Sequence, residues 1–241
     1  MNTTSNKSLN DIQFYVTTNY SCGYIKERNA RSLVAAPYKK VNAKAYNDLI
    51  QSGFRRSGQY VYKPQCKDCQ ACVPIRLVIS NFLLSRSQKR VKKNHKNIQA
   101  KILPLAFHQE HYNLYTDYQN KRHQLNSKLE EDIVEYKDFL VSSNVNSKLI
   151  EFRDNERLVM VTVVDNIEEG LSAVYTFYDC DEEKKSYGTF SILWLIDYCL
   201  KNKLSYLYLG YWINQSNKMK YKINFKPYEL MIDGLWKQMS D

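Results

Sequence analysis

Glycine and proline are scarce, at seven and five residues in a chain of 241. That scarcity excludes a collagen-like repeat and a Gly/Pro-rich low-complexity protein. Long apolar runs are missing as well. The longest, Ile192 to Ile196, is about a quarter of the roughly 18–20 residues that a membrane span needs. The polar start, Met1 to Asp11, has no apolar segment behind a basic end, so no secretory signal is read there and a cytoplasmic location is expected. The sequence holds no Gly-rich phosphate loop, no His-Glu-x-x-His pair and no internal repeat. No catalytic triad is visible either, and His95, His108, His111 and His123 read best as helix-surface histidines.

What is present is a globular balance of 44% hydrophobic and 25% charged residues. Lys and Arg number 35 against 25 Asp and Glu, a net charge of +10. Such an excess points to an acidic partner, nucleic acid foremost. In a reducing compartment, clustered cysteines favour metal binding or redox chemistry over disulfides. Cys66, Cys69 and Cys72 stand at C-x2-C-x2-C spacing, and Cys22 is the natural fourth ligand. Four thiolates suit zinc or an iron–sulfur cluster; three reduced thiols in a loop without metal is the plainer alternative. Cys180 and Cys199 are isolated, the latter as core filling.

The periodicities predict an α+β layout. Asn42 caps a helix carrying Tyr46, Leu49 and Ile50, which ends at Gly53. Phe54 to Tyr62 reads as a strand pair and Ile75 to Ile79 as a strand. Ser85 and Gln88 make a capping box in front of the densest basic run, Arg86, Lys89, Arg90, Lys92 and Lys93. A run of this kind suits nucleic-acid phosphates; a solvated helix face is the bland reading. Helices are expected over Phe107 to Gln124 and Glu131 to Val141. Three strands follow at Leu149 to Arg153, Glu156 to Asp165 and Leu171 to Asp179. A buried helix covers Gly188 to Lys201, then a strand Leu204 to Ile213. Ser216 is expected to cap a short helix with Lys218, Lys220 and Lys222, and Tyr228 to Trp236 to close the fold as one strand.

Several of these segments, in order, resemble the aminoacyl-tRNA–protein transferases. Ser57 to Pro64, leading into Cys66, Cys69, Cys72, Pro74 and Arg76, is similar to their N-terminal module, as is Ser85 to Val91. Ser172 to Asp179, Gly188 to Trp194, Tyr206 to Ile213 and Lys218 to Lys222 are similar to the C-terminal one. The match runs from about Phe14 to Trp236 and is nearest the bacterial aspartate/glutamate leucyltransferases, relatives of the eukaryotic arginyltransferases. Ile25 stands where the eukaryotic branch has a second cysteine, and Ser216 where many relatives have a thiol.

The resemblance implies an acetyltransferase-like (GNAT-like) mixed sheet with flanking helices, plus a smaller cysteine-containing N-terminal module. The corresponding division is a flexible start over 1–13, the N-terminal module over 14–97 and the C-terminal module over 98–241. It also implies transfer of leucine from leucyl-tRNA to the α-amine of proteins beginning with Asp or Glu, which marks them for degradation. No cofactor is expected for the transfer itself, and the partners are leucyl-tRNA and acidic N-termini, with no membrane. Tyr178, Asp179, Tyr211 and Lys220 are expected to line the groove, and Arg76 and Arg86 to receive the acidic acceptor side chain. Three rivals stand beside this reading: an arginyl-tRNA donor, a coenzyme A acetyltransferase, and a non-enzymatic nucleic-acid-binding protein with a structural metal. The coenzyme A reading wants a Gly-rich turn at a helix start, and Glu182 to Tyr187 offers none.

Overall fold

The structure, a computed structural model, describes residues 9, 11–123, 129–181 and 185–239, with the side chains of 123–132 excepted. Much of the expectation for 1–13, the last residue of the 107–124 helix, and Glu182 and Glu183 lie outside the described residues.

The N-terminal part is a small sheet with one helix. Its elements are β1 (Gln13–Val16), β2 (Tyr20–Ser21), β3 (Asn29–Ala30), β4 (Ser32–Ala36), α1 (Ala43–Gln51), β5 (Arg55–Ser57) and β6 (Tyr60–Pro64). β1, β4, β6 and β5 form a four-stranded antiparallel sheet, in that order, and β2 pairs with β3. Asn42 Oδ1 accepts from the backbone of Ala45 at 3.0 Å, which holds the first turn of α1. Gly53 takes φ +83° just past its end, the left-handed geometry that stops a helix. Tyr46, Leu49 and Ile50 bury the helix face against Val61 and Phe54.

The rest is built on an eight-stranded sheet. It uses β7 (Val73–Val78), β8 (Gln99–Pro104), β9 (Ser147–Asp154), β10 (Arg157–Ile167), β11 (Gly170–Tyr178), β12 (Tyr206–Trp212), β13 (Tyr228–Ile232) and β14 (Leu235–Gln238). The order is β14-β13-β7-β12-β11-β10-β9-β8. Thus β7, from the 14–97 stretch, is an interior strand of the sheet formed mainly by 98–241. Four helices flank it: α2 (Arg86–Asn94), α3 (Gln109–His123), α4 (Leu129–Tyr136) and α5 (Tyr187–Lys201). α4 runs on as a π-helical turn over Lys137–Val141. The fold is mixed α+β, as the periodicities predict.

α5 connects β11 to β12, the one parallel pair in the described sheet. It is apolar nearly all round and lies deep on one face, with Phe190, Leu193, Leu195 and Ile196 against Ile75, Leu77, Val159 and Leu207. α2 packs beside it through His95, stacked on Phe190 at 4.6 Å, and Lys92, paired with Asp197 at 2.5 Å. α3 and the π-helical turn cover the opposite face over β9 to β11, where Tyr112, Tyr136 and Leu140 meet Val161, Val163 and Phe177. The N-terminal sheet and α1 cover that same face beside β12, through Tyr208.

Three expectations need correction. His95 and His111 are buried and not helix-surface residues: His95 stacks on Phe190, and His111 Nε2 lies 3.1 Å from a Glu151 carboxylate oxygen. Tyr228 to Trp236 is a hairpin and not one strand: Asp233 and Gly234 take φ +55° and +76° and turn the chain between Ile232 and Leu235. An Asp-Gly pair with both φ values positive is the preferred two-residue hairpin turn. Ser216 caps no helix with its side chain; its carbonyl receives the Met219 and Lys220 N–H groups, each at 2.9 Å, and a 3-10 helix follows at Lys220–Asn224. Among the described residues no helix is long and apolar enough to cross a membrane.

Candidate active site

β11 and β12 pair over only three positions, Gly170–Ser172 against Tyr206–Tyr208. Beyond them the two parallel strands no longer bond to each other, and β12 is bulged against β7 between Tyr208 and Tyr211. The Arg55 guanidinium occupies this divergence. Its Nη2 donates to the carbonyls of Ala173, at 3.3 Å, and Val174, both on β11. On the β12 side it lies against Gly210, where a Cβ would stand 2.3 Å from Nη1. Gly210 also has φ +75°, so glycine serves both the backbone conformation and the close approach.

The local sequence explains how Arg55 arrives. Gly53 ends α1 and turns the chain into β5, where successive side chains point to opposite faces. Arg56 enters the interior and grips Asp165 with two bonds of 2.7 and 2.8 Å. Arg55 therefore faces the other way, on the side of its strand partner Tyr62. Tyr62, Tyr24, Tyr211 and Tyr46 all lie in its electrostatic field. Burial works against its charge, the tyrosines favour it, and the balance raises its pKa.

Lys222 approaches from the 3-10 helix after β12. It is 5% exposed, and its Nζ donates to the Tyr211 carbonyl at 2.7 Å. Burial and then repulsion from Arg55 hold its pKa well below the usual lysine range. Tyr221, beside it, feels both Arg55 and Tyr178. Tyr178 ends β11; its hydroxyl accepts from Arg122 Nη2 at 2.7 Å and its ring meets Tyr118 at 5.0 Å. Arg55 and Tyr211 line the narrow cleft where β11 and β12 part, with Lys222, Tyr178 and Tyr221 close by.

Of the residues expected from the sequence, Tyr211 lines this cleft and Tyr178 lies close by. The Tyr211 hydroxyl is engaged with the Gly53 carbonyl at 3.0 Å, and burial raises its pKa. Asp179 turns away into a neighbouring pocket of about 270 Å³, shared with Glu110, Asp117, Lys121 and Asp181, and pairs with Arg157 at 2.8 Å. Lys220 is exposed at the start of the 3-10 helix. Arg76 lies in β7, 8% exposed, with its charge met by Glu229 at 2.6 Å and its plane over the rings of Tyr206 and Trp236. Arg86 is exposed at the first position of α2, together with Lys89, Arg90 and Lys93, while Lys92 is half-buried in its Asp197 pair.

The four cysteines gather near the cleft. Burial first, then the charges of Cys22, Cys66 and Cys69, push the Cys72 thiol up to about 12, and Lys222 acts on it in the opposite sense. Cys69 is lowered by a backbone N–H from Ala71 and by Arg28, whose Nη1 donates to its sulfur at 3.3 Å. Among the described residues no three His, Cys, Asp or Glu side chains converge closely enough to hold an ion.

Sequence reasoning missed Arg55, Lys222, Arg122, Tyr24 and Tyr62. The available signal was slight: Lys222 closes the Lys-Met-Lys-Tyr-Lys segment, and Arg55 and Arg56 follow a helix-ending glycine on opposite faces of one strand.

Comparison with known proteins adds the following. Residues 20–90 match the family described as arginine-tRNA-protein transferase, N terminus, and residues 110–232 the corresponding C terminus. A protein of Methylobacillus flagellatus named aspartate/glutamate leucyltransferase is 52% identical over 95% of this chain and 92% of its own. A protein of the same name from Thiobacillus denitrificans is 46% identical over 95% of each. Among solved structures, L-PGS from Bacillus licheniformis aligns with a TM-score of 0.46 and 9% identity over 59% of this chain and 46% of its own.

Proposed function

The chain belongs to the aspartate/glutamate leucyltransferase family and is an aminoacyltransferase; from that premise we propose that it transfers leucine from leucyl-tRNA to the N-terminal α-amine of proteins beginning with Asp or Glu. In the same reading the sheet is acetyltransferase-like, the protein works in the cytoplasm, and the added leucine marks its acceptor for degradation. The observation that carries the reading is the narrow cleft between β11 and β12, with Arg55 between the strands and tyrosines in its field.

The chemistry asks for little more than such a cleft. The aminoacyl ester is already activated. The acceptor α-amine has a pKa near 8, so roughly one molecule in ten is neutral at pH 7. That amine attacks the ester carbonyl; the new C–N bond forms, the ester C–O bond breaks, and the amine's proton ends on the departing ribose hydroxyl. Holding amine and ester together and stabilising the developing oxyanion are the main tasks. Arg86, Lys89, Arg90 and Lys93, exposed along one helix, support the tRNA half of the reading. Zinc or an iron–sulfur cluster on Cys22, Cys66, Cys69 and Cys72 remains part of the proposal on the sequence spacing alone, since no three of these thiols converge on one point among the described residues. Elemental analysis of anaerobically purified protein tests it, and protein free of zinc, iron and sulfide contradicts it.

The test of the donor uses labelled leucyl-, arginyl- and phenylalanyl-tRNA with peptides beginning with Asp, Glu, Arg, Lys or Ala. Transfer of leucine alone, to the Asp and Glu peptides, is expected. Transfer from arginyl-tRNA instead would overturn the donor half and leave the acceptor half standing.

A further inference from the structure

Arg56, Arg76, Arg153 and Arg157 each stand in an ion pair with a carboxylate. Arg55 and Lys222 do not, among the described residues, although Lys222 is buried, Arg55 is half-buried, and Arg55 acts on Lys222 by repulsion. Arg55 is half-buried, with Nη2 committed to β11 carbonyls while Nη1 and Nε donate to nothing described. Lys222 commits Nζ to one carbonyl. A buried and a half-buried cation close together without a counter-charge are unfavourable for the fold alone, and they make a site prepared for an anion. Arg55 lies where β11 and β12 part, and its uncommitted Nε and Nη1 form a planar fork that matches a carboxylate.

Resting on the leucyl-transfer reading above, we propose that Arg55, backed by Lys222, is the cation that receives the side-chain carboxylate of the acceptor's first residue. Arg76 and Arg86 then have other duties: Arg76 neutralises Glu229, and Arg86 lies on the outer basic helix. The acceptor's carboxylate supplies the charge that Arg55 and Lys222 lack. A neutral Asn or Gln in its place leaves both cations uncompensated, and discrimination follows from that penalty.

Two measurements test the proposal. In the first, kcat and KM are determined for Asp- and Asn-starting peptides at saturating leucyl-tRNA, with the wild type, Arg55→Gln, Arg55→Lys and Lys222→Met. Arg55→Gln should raise the KM of the Asp peptide by at least about tenfold, the factor expected for losing one charged hydrogen bond. It should also flatten the preference for Asp over Asn, with leucyl-tRNA affinity unchanged and Arg55→Lys restoring part of the preference. An Arg55→Gln enzyme that still prefers Asp as strongly as the wild type overturns the proposal. In the second, which needs no variant to fold, the wild type is modified with phenylglyoxal and the labelled arginines are mapped. An Asp-Ala dipeptide should protect Arg55, and Asn-Ala should not. Equal protection by both dipeptides, or by inorganic phosphate alone, overturns the proposal. Because the second measurement reads carboxylate binding without any transfer, a wrong donor assignment would leave it intact.

Discussion

Lys222 shows what a single residue in the cleft costs the fold. Its pKa is held well below the ordinary lysine value of 10.5, first by burial and then by Arg55. Between its folded pKa and that value, the unfolded chain binds a proton that the folded chain does not. Stability from this residue is therefore greatest above the ordinary lysine range and is lost as pH falls through the folded pKa. Replacing Lys222 with Met removes the titration. Thermal melts from alkaline to neutral pH should show the variant gaining on the wild type as pH falls, while transfer to acidic acceptors declines. A constant difference across that range would show that Lys222 does not titrate there. Neither Lys222 nor Arg55 was identifiable as a site residue from the sequence, because a lysine in a basic segment and one of two adjacent arginines carry no local mark. Only the tertiary fold sends Arg56 to Asp165 and Arg55 between β11 and β12.

At the scale of elements, α2 separates two kinds of basic residue. Lys89, Arg90 and Lys93 are exposed, whereas Lys92 is already paired with Asp197. Alanine at any of the first three should lower the slope of log tRNA affinity against log salt by roughly 0.7–0.9 per contact removed. Lys92→Ala should change it less. Binding titrations at several salt concentrations give the slopes; four equal and negligible changes would make the helix a solvated face. This helix was legible in the sequence because its signal is local: Ser85 and Gln88 form the capping box, with the Gln88 N–H reaching Ser85 Oγ at 3.2 Å. The burial of α5 was legible for the same reason. The β13–β14 hairpin was also locally encoded, in Asp233-Gly234, and was overlooked because the flanking residues read as one continuous strand. The insertion of β7 between β12 and β13 was not legible, since pairing across such sequence separations leaves no periodic trace.

For the whole molecule, one buried cluster joins the N-terminal sheet to the large one. Asp165, fully buried, receives Arg56 from β5, the Tyr46 hydroxyl from α1 at 2.9 Å, and the Ser147 hydroxyl from β9 at 2.6 Å. Arg56 also donates to the carbonyls of Gly58 and Ser142. Truncating one partner of such a pair leaves an uncompensated charge and costs about 3–5 kcal/mol. Arg56→Met should therefore lower the unfolding free energy by that amount and shift the denaturant midpoint down accordingly, in a single transition with unchanged slope if the two parts unfold together. Two resolved transitions would mean that they unfold separately. The same coupling fixes the position of Arg55, which belongs to the N-terminal sheet and enters between strands of the large one.

The most direct measurement is of the reaction product. Leucyl-tRNA is mixed with the enzyme and three peptides that differ only at their first residue: Asp, Asn, and Asp with an acetylated α-amine. Mass spectrometry then locates any added leucine. Leucine on the α-amine of the free Asp peptide, and on neither of the others, is the predicted result. Leucine on the Asn peptide to the same extent, or none on the Asp peptide, would contradict the account.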